Sequence, residues 1–281
     1  IDAEVVSELI LSGSAMRIMA TKREAAVKAN EIFDRTFPKL ALGRQAKTEG
    51  LFPFFRKIPL PASPLSGPEA EDFFRKLSAE YDGVLHINIG AGFSCSYQNA
   101  TLAAEEFENV RTIDSMNLST GQGLVVLKAC ELAKTCESLD DLQNQLNEFT
   151  SRVESSFLLD QLKYMVKSGR CSAVAALGAN LLNLKPCIEV KDGKMSVVKK
   201  YRGSYSKCLA SYVKDRLTGR DDLDTGTLFV TRTPISDECL QAVYDAVKEC
   251  NNFENTYWNE AGCTVSCHCG PGTLGVLFVR K

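Results

Sequence analysis

The sequence has little net charge and lacks any long apolar run. It carries 33 Lys and Arg against 35 Asp and Glu, for a net charge of −2, so charge gives no reason to expect a nucleic acid or an anionic membrane as partner. No apolar segment approaches the roughly 18 residues that a membrane-spanning helix requires. We therefore expect a protein without a transmembrane segment and without a nucleic-acid-binding role.

Signatures of catalysis are also missing from the sequence. It contains no P-loop, no Ser-His-Asp order and no pair of candidate catalytic carboxylates, and each of these belongs to a well-known class of chemistry. Nothing intrinsic to the chain indicates an enzyme, and we expect no cofactor.

Cysteine, by contrast, is abundant. The 11 cysteines are odd in number and scattered, and several fall on apolar faces of predicted helices, where a thiol packs as a small apolar group. We expect free thiols in a reducing compartment, either the cytoplasm or an organellar matrix, rather than a disulfide framework. The first residue is Ile1 rather than Met, which is expected of a processed product or a fragment, so a removed targeting segment stays open.

The length of 281 residues and the hydrophobic content of 44% suit an α/β protein of two domains. We predict that residues 1–68 form a divergent segment that is helical at first and irregular from residue 38, where six of the nine prolines lie. Residues 69–154 follow a β-α-β order with short turns, which predicts a mostly parallel sheet with flanking helices. Residues 155–281 are richer in strand pairs, and we predict a mixed or antiparallel sheet with helices there.

Hydrophobic periodicity gives approximate element boundaries. In the first domain we predict strands at residues 84–89 and 110–113, and helices at residues 69–81, 94–107, 118–136 and 139–153. In the second domain we predict helices at residues 205–217 and 236–250, and strands at residues 187–190, 194–199, 227–231, 253–258, 263–267 and 273–279.

Residues 162–203 combine a helix, a Gly-Arg corner, a second helix and two strands around an Asp-Gly turn. Gly169 is expected to end the first helix, which leaves Arg170 in the gap before a helix over residues 172–183. Arg202 follows the second strand. Two cations beside a wall of Leu, Val and Ala suit a ligand with an anionic head and an apolar body. The alternative is that both arginines form ordinary surface salt bridges.

The segment HINIGAGFSCSYQNA, residues 86–100, runs from a strand through small residues to the start of a helix. Ser94 and Ser96 supply hydroxyls there, and the free N–H groups and dipole of a helix N-terminus favour an anion. The carboxyl end of a parallel strand is also the usual place of a ligand. The alternative is that Ser94 only caps the helix.

Part of a dinucleotide-binding fingerprint overlaps this segment. Gly90 and Gly92 form a G-x-G, and Asp114 ends the next strand at about the spacing at which an acid would hold a ribose. Cys95 stands where the third Gly belongs, so the fingerprint is incomplete. A dinucleotide-binding enzyme is therefore the weakest of the hypotheses.

Cys267, His268 and Cys269 precede a Gly-Pro-Gly turn and, with Cys263, suggest a zinc ligand set. No Cys-x₂-Cys pair is present, so we predict no metal site. If the segment is a strand, Cys267 and Cys269 share one face and His268 lies on the other. A lone His is often structural, but this is one of only 2 His in the chain and it adjoins backbone held by two glycines. We therefore take His268 as a candidate ligand-binding residue.

Four segments, in the right order between about residues 70 and 280, resemble the DegV family of fatty-acid-binding proteins. Residues 169–203 are similar to its Gly-Gly-Arg, Leu-x-Ile-Lys-Pro and Lys-x-Arg-Gly signature. FSCSYQNA is similar to its Leu-Ser-Gly-Thr-Tyr-Gln-x-Ala, VRTIDSMNLSTGQGLVV to its Val-x-Val-Ile-Asp-Ser segment, and CHCGPGTLGVLF to its His-x-Gly-Pro-Gly-x-Leu-Gly ending.

The resemblance implies a two-domain α/β protein that holds one long-chain fatty acid, or a related acyl lipid, between its domains. It implies an apolar tunnel in the second domain for the acyl tail, hydroxyls of the first domain for the carboxylate, and no chemistry by the protein alone. In bacteria, such proteins present the acid to a partner kinase. By motif match, the ligand-binding residues are Ser63, Ser94, Ser96, Arg170, Arg202 and His268.

The sequence departs from the family pattern at two places. Gly90-Ala91 stands where the family has Ser-Ser, and Pro-Ala-Ser-Pro at residues 61–64 stands where it has Thr-Ser-Gln-Pro. Hydroxyls that would bind a carboxylate are thus missing. The leading hypothesis is a fatty-acid-binding protein. The alternative is a scaffold or accessory subunit of a larger complex, which keeps the fold with a degenerate head-group site.

Overall fold

The structure is a computed structural model that describes residues 66–171, 184–250 and 253–281. Helices and strands alternate through these residues, which confirms the predicted α/β class. The chain divides between Ser151 and Arg152 into two compact units. The predicted helices before residue 66 and over residues 172–183 lie outside the described residues, and the domain assignment made from the sequence stays a prediction.

The first unit carries a parallel strand pair with helices around it. Its elements are α1 (Gly67–Glu80), β1 (Val84–Asn88), α2 (Ser96–Ala104), β2 (Val110–Asp114), α3 (Ser119–Leu132) and α4 (Leu139–Thr150). Strands β1 and β2 pair in parallel, with Val84 opposite Val110 and Asn88 opposite Asp114. The carboxyl ends of both strands therefore meet at one edge, as the β-α-β order predicts.

Local signals in the sequence explain where the first-unit helices begin. Ser66 and Glu69 form a reciprocal capping box at the start of α1, and the hydroxyl of Ser138 accepts a hydrogen bond from the N–H of Asp141 at the start of α4. The apolar face of α1 then packs on α2 and the strands. This core consists of Ala70, Phe74, Leu77, Val84, Ala100, Ala103, Ala104 and Val110.

The second unit is built on a six-stranded mixed sheet, in agreement with the prediction. Its elements are β3 (Val153–Leu158), α5 (Leu162–Ser168), β4 (Leu184–Lys191), β5 (Lys194–Arg202), α6 (Tyr205–Leu217), β6 (Leu223–Arg232), α7 (Asp237–Cys250), β7 (Asn255–Glu260), α8 (Cys263–Cys269) and β8 (Leu274–Arg280). The strand order is β5-β4-β3-β8-β6-β7. Only β6 and β7 pair in parallel within the described sheet.

Two predicted turns of the second unit are confirmed. Helix α5 ends at Gly169, whose φ of 65° is left-handed. Strands β4 and β5 are joined by Asp192 and Gly193, with φ values of 49° and 68°. Two consecutive left-handed residues are typical of the type I′ turn, whose twist matches that of an antiparallel hairpin.

Two predictions made from the sequence are wrong. The helix predicted to reach residue 153 ends at Thr150, and β3 follows as a central strand. Strand β3 has the polar sequence VESSFL, which hides the usual strand signal. Each of two polar side chains finds a partner inside the fold, because Glu154 binds Arg220 in a bidentate pair at 2.7 and 2.9 Å and Ser156 lies 2.8 Å from the hydroxyl of Tyr212.

The second error concerns residues 263–267, which were predicted as a strand and belong to helix α8. The helix lies between Gly262 and Gly270, and the hydroxyl of Ser266 donates to the carbonyl of Ala261 at 3.1 Å. The alternation of apolar and polar residues over this short segment resembles a strand, but the segment is a short helix bounded by Gly262 and Gly270. Within the described residues, no helix is both long and apolar enough to cross a membrane.

Candidate ligand-binding site

The loops that follow β1 and β2 lie together at the carboxyl edge of the first-unit strands. Backbone hydrogen bonds join them, from the N–H of Gly90 to the carbonyl of Asn117 at 2.7 Å and from the N–H of Ser115 to the carbonyl of Asn88 at 3.2 Å. This edge of a parallel sheet is where ligands usually bind. We call residues 90–96 the serine turn.

Asp114 organises the serine turn through one oxygen of its carboxylate. Its Oδ1 accepts hydrogen bonds from the N–H of Ala91 at 3.1 Å and from the N–H of Met116 at 2.8 Å. Met116 is held in a left-handed conformation with a φ of 51°. The acid that the dinucleotide hypothesis assigned to a ribose therefore has a structural role in the loop, which weakens that hypothesis.

Ser94 and Ser96 are brought together, as the candidate site requires. Their hydroxyl oxygens lie 2.8 Å apart, and Oγ of Ser94 also accepts from the N–H of Ser96 at 3.2 Å. Ser96 is fully buried at the first position of α2, and Ser94 is half-buried. Cys95, not Ser94, occupies the N-cap position. Ser94 thus satisfies one helix N–H group while keeping its hydroxyl beside that of Ser96.

Gly90 is required by close packing of the two loops. A Cβ atom at this position would lie 3.0 Å from the backbone N of Asn117 and 2.9 Å from the ring of Phe93. Such distances are too short for a normal carbon contact. The Ser of the family pattern cannot be placed here without moving the loop, which gives a physical reason for one of the two departures noted in the sequence.

A buried polar pair at the end of β1 was not identified from the sequence. Nε2 of His86 lies 3.0 Å from Oδ1 of Asn88, and both side chains are buried. The ring of His86 packs edge-on against Phe74 at 5.2 Å. Nδ2 of Asn88 has no hydrogen-bond partner within the described residues. Two polar residues at alternate positions of an otherwise apolar strand were the signal that could have indicated this pair.

In the second unit, Arg170 and His268 come together from distant parts of the sequence. Arg170 is exposed just after the end of α5, His268 is half-buried in the last turn of α8, and the two helices pack against each other. Burial lowers the pKa of His268 below its ordinary value of 6.5, and the nearby guanidinium of Arg170 lowers it further. No carboxylate of the described chain pairs with Arg170. The arrangement therefore places positive charge where an anion would be stabilised.

The backbone after His268 is fixed by tight packing, and we call residues 270–272 the glycine turn. Gly270 and Gly272 have left-handed φ values of 78° and 81°. A Cβ atom at Gly270 would overlap the ring of Tyr164, and one at Gly272 would lie 2.6 Å from Cβ of Asp160. The hydroxyl of Tyr205 donates to the carbonyl of Gly272. The glycine turn is thus held rigidly beside α5, which also precedes Arg170.

Asp160 was not singled out from the sequence, although it supports this region. Its carboxylate binds Nζ of Lys185 at 2.6 Å, and Lys185 also donates to the backbone carbonyl of Asp160 at 3.1 Å. Both side chains are largely shielded from solvent. The Lys-Pro of the family signature thus begins β4 and ties it to the segment after β3.

The remaining candidates are Arg202, at the end of β5, and Ser63, which lies outside the described residues. Arg202 is exposed at the end of β5, opposite Leu184 of β4. Within residues 184–250 and 253–281, no hydrogen bond or ion pair joins Arg202 to His268. Ser63 lies outside the described residues, so its place in the site stays a prediction.

Metal binding finds no support in the described part of the chain, where no group of three His, Cys, Asp or Glu side chains could hold an ion. Burial raises the pKa of the thiols of Cys187 and Cys269 to about 12. Both therefore stay protonated at neutral pH, and a thiol is a poor nucleophile and a poor metal ligand.

Comparisons with known proteins identify similar chains over most of the length. A sequence profile of the family described as "Uncharacterised protein, DegV family" matches residues 54–281. A DegV domain-containing protein from Clostridium acetobutylicum is 32% identical over 215 residues, which is 75% of this chain and 74% of that protein.

Solved structures give the same result. The chain is similar to a DegV family protein from Thermus thermophilus, described for its fatty acid binding, with a TM-score of 0.68, 26% identity and coverage of 78% of each chain. It is also similar to a fatty acid binding DegV family protein from Streptococcus agalactiae, with a TM-score of 0.67, 25% identity and coverage of 78% of each chain.

Proposed function

The chain belongs to the DegV family, and from that premise we propose that it binds one long-chain fatty acid and acts as a binding protein rather than an enzyme. Two solved relatives at 25% identity or more are described as binding fatty acids. Each is matched over 78% of its length, so the similarity extends over most of the protein that carries that property.

The convergence of Arg170 and His268 is the observation that carries the proposal. A fatty acid has one anionic group, and a guanidinium beside an imidazole can bind a carboxylate through charge-assisted hydrogen bonds worth about 1.5–3 kcal/mol each. The lowered pKa of His268 is expected to rise when a carboxylate neutralises the positive charge of this region. The side chains are therefore suited to an acid and poorly suited to a cation.

The serine turn is the proposed source of neutral hydrogen bonds. The hydroxyls of Ser94 and Ser96 lie 2.8 Å apart and are hydrogen-bonded to each other, which leaves one hydroxyl proton of the pair to donate to a carboxylate. Gly90 and Ala91 supply no hydroxyl. We expect head-group affinity to depend more strongly on Ser94 and Ser96 than on the corresponding hydroxyls of relatives with the Ser-Ser pattern.

Mass spectrometry of lipids extracted from the purified protein tests the proposal. A fatty acid in about equimolar amount is the expected result, and a protein stripped of lipid is expected to take up a fatty acid again in calorimetry. Replacing Arg170 by Gln should weaken binding about tenfold or more. Lys167→Gln on the preceding helix is the matched control, since Lys167 is also exposed. A folded protein that contains no lipid and binds none would refute the proposal.

We further propose that the protein presents its bound fatty acid to a partner kinase. A binding protein without catalytic groups can supply its ligand to an enzyme that phosphorylates the carboxylate. Incubating the lipid-loaded chain with a fatty-acid kinase and ATP should yield acyl phosphate, with the stripped chain as control. Lack of product would limit the function to binding or transport.

An accessory role in a larger complex is the second candidate. It is favoured by the missing hydroxyls at Gly90 and Ala91, which weaken a dedicated head-group site. Native mass spectrometry of the protein isolated from its source would reveal stable partners. A lipid-loaded protein free of other subunits would argue against this role.

A further inference from the structure

The sheet of the second unit has two edge strands within the described chain, and they differ in charge. Strand β5 at one edge carries the basic residues Lys194, Lys199, Lys200 and Arg202. Strand β7 at the other edge, with the sequence NTYWNE, carries no basic residue. Its single charged side chain, Glu260, is paired with Arg232 at 2.6 Å. Basic residues on an edge oppose pairing with another strand, so β5 is protected and β7 is not.

Aromatic side chains on and beside β7 are unusually exposed. Tyr244, Tyr257 and Trp258 have exposed fractions of 52%, 48% and 38%. Tyr257 stacks on Phe229 with ring centroids 5.2 Å apart, and Trp258 packs on Tyr244 at 5.7 Å. Successive residues of a strand point to opposite faces, so these two aromatic pairs lie on the two sides of the sheet edge. Clustered Tyr and Trp side chains with this exposure are typical of protein interfaces.

The sequence of β7 is compatible with pairing to a second copy of itself. Opposed residues of a symmetric antiparallel pair share a face, so the two-fold axis passes beside one residue of the strand. With the axis at Trp258, that ring faces the partner's Trp258, and Tyr257 faces the partner's Asn259. Registers centred on Tyr257 or Trp258 pair the most residues of β7, which spans Asn255–Glu260. With the axis at Tyr257, Glu254 would oppose the partner's Glu260, and like charges opposed across strands are destabilising. Of these two registers, charge therefore favours the one centred on Trp258.

We propose that β7 is a self-association edge at which two copies of the chain pair antiparallel, with Trp258 at the two-fold axis, to join their sheets into one. This interface is independent of the proposed fatty acid site. The occupant is a second copy because the strand opposes no like charges in this register, and because backbone pairing uses the whole of an edge that lacks protecting residues.

Sedimentation velocity of the full chain over a range of concentrations tests the proposal. The expected result is a dimer that dissociates on dilution. W258K places two Lys side chains opposite each other and should give a monomer, and W258E should do the same. An equimolar mixture of W258K and W258E should restore the dimer, because Lys then faces Glu across the axis. Restoration also shows that both variants fold, which circular dichroism confirms separately.

The matched control is V198K on the protected edge, where Val198 has an exposed fraction of 46%. It should leave the dimer unchanged. Because Trp258 is the single Trp of the chain, its emission in the unmodified protein should shift to longer wavelength over the same dilution range. A monomer at every concentration, a dimer that survives W258K, a mixture that stays monomeric, or equal loss in V198K would each overturn the proposal.

Discussion

The serine turn of the first unit and the glycine turn of the second both depend on glycine, but for different reasons. Gly90 is constrained only by its neighbours, since an added Cβ atom would lie 3.0 Å from the backbone of Asn117. Gly270 combines a left-handed φ of 78° with the ring of Tyr164 in the space that a Cβ atom would need. The first turn is restricted by packing, and the second by backbone conformation as well.

This difference indicates which substitutions each turn can accept within the family. A packing restriction can be relieved when a loop shifts by a few tenths of an ångström, so a relative with Ser at the position of Gly90 needs only a slightly displaced neighbouring loop. Such a shift does not relieve the strain at a left-handed residue that is packed on an aromatic ring. The glycine turn is thus expected to tolerate fewer substitutions than the serine turn.

The largest predicted effect is on stability and comes from Gly270→Ala. Strain at a left-handed φ and overlap with Tyr164 should together lower the free energy of unfolding by about 2–4 kcal/mol. Gly219→Ala is the control, because Gly219 has a φ of 70° with no atom within 4 Å of the added Cβ; strain alone should cost about 1–2 kcal/mol there. Urea denaturation measures both. Equal losses would show that packing on Tyr164 contributes nothing.

Gly90→Ser should have the next largest effect. Restoring the family residue inserts an atom between two closely packed loops and should cost about 1–3 kcal/mol of stability, without improving the affinity for fatty acid. Ala91→Ser is the matched variant, because Ala91 is exposed and already has a Cβ atom, and its stability should change by less than about 0.5 kcal/mol. A stable G90S protein would show that the packing restriction is weaker than inferred.

Ser96→Ala tests the hydroxyls of the serine turn. Loss of one neutral hydrogen bond to the head group should reduce fatty acid affinity by about 0.5–1.5 kcal/mol, or up to roughly tenfold. Ser96→Thr retains the hydroxyl and should bind as the unmodified chain does. Calorimetry with a single fatty acid compares the three proteins. If S96A binds with unchanged affinity, Ser96 only organises the start of α2.

The smallest predicted effect is a pH dependence of fatty acid affinity, which arises from His268 beside the glycine turn. Burial and Arg170 lower the pKa of His268, so the neutral ring favours the folded state above its ordinary pKa of 6.5, and this contribution is lost as the pH falls through the lowered value. A bound carboxylate favours the protonated ring. Affinity should therefore rise as the pH falls below 6.5, by less than about tenfold per pH unit for one proton.

A substitution of His268 tests whether this residue causes the pH dependence of affinity. His268→Gln should bind fatty acid with an affinity that changes little between neutral and mildly acidic pH, while S96A keeps the slope of the unmodified protein. Displacement of a fluorescent fatty acid at several pH values measures both. An unchanged slope in H268Q would assign the proton to another group.

Much of the fold could be predicted from the sequence where local signals and packing agree. The β1-α2-β2 order and the left-handed end of α5 at Gly169 follow from periodicity and turn chemistry. Strand β3 could not be recognised, because its Glu154 and Ser156 are accommodated by Arg220 and Tyr212, which lie far away in sequence. Such tertiary partners leave no trace in local periodicity.

The candidate site could be predicted less completely than the fold. Motif spacing identified Arg170 and His268, but the strand reading of residues 263–267 gave His268 the wrong local geometry, and a helix places it in a last turn beside α5. The engagement of Asp114 with two backbone N–H groups was also hidden. Hydrogen bonds between loops depend on their relative position, which composition and periodicity do not encode.

The strand order of the second unit has a consequence for how the protein is made. Strand β8 lies between β3 and β6, yet it is synthesised after all other strands of that sheet. Until residues 274–280 emerge from the ribosome, β3-β4-β5 and β6-β7 are two separate pieces, each with an open apolar edge. Open edges of this kind invite chaperones or aggregation. The second unit is therefore expected to fold only after its synthesis is nearly complete.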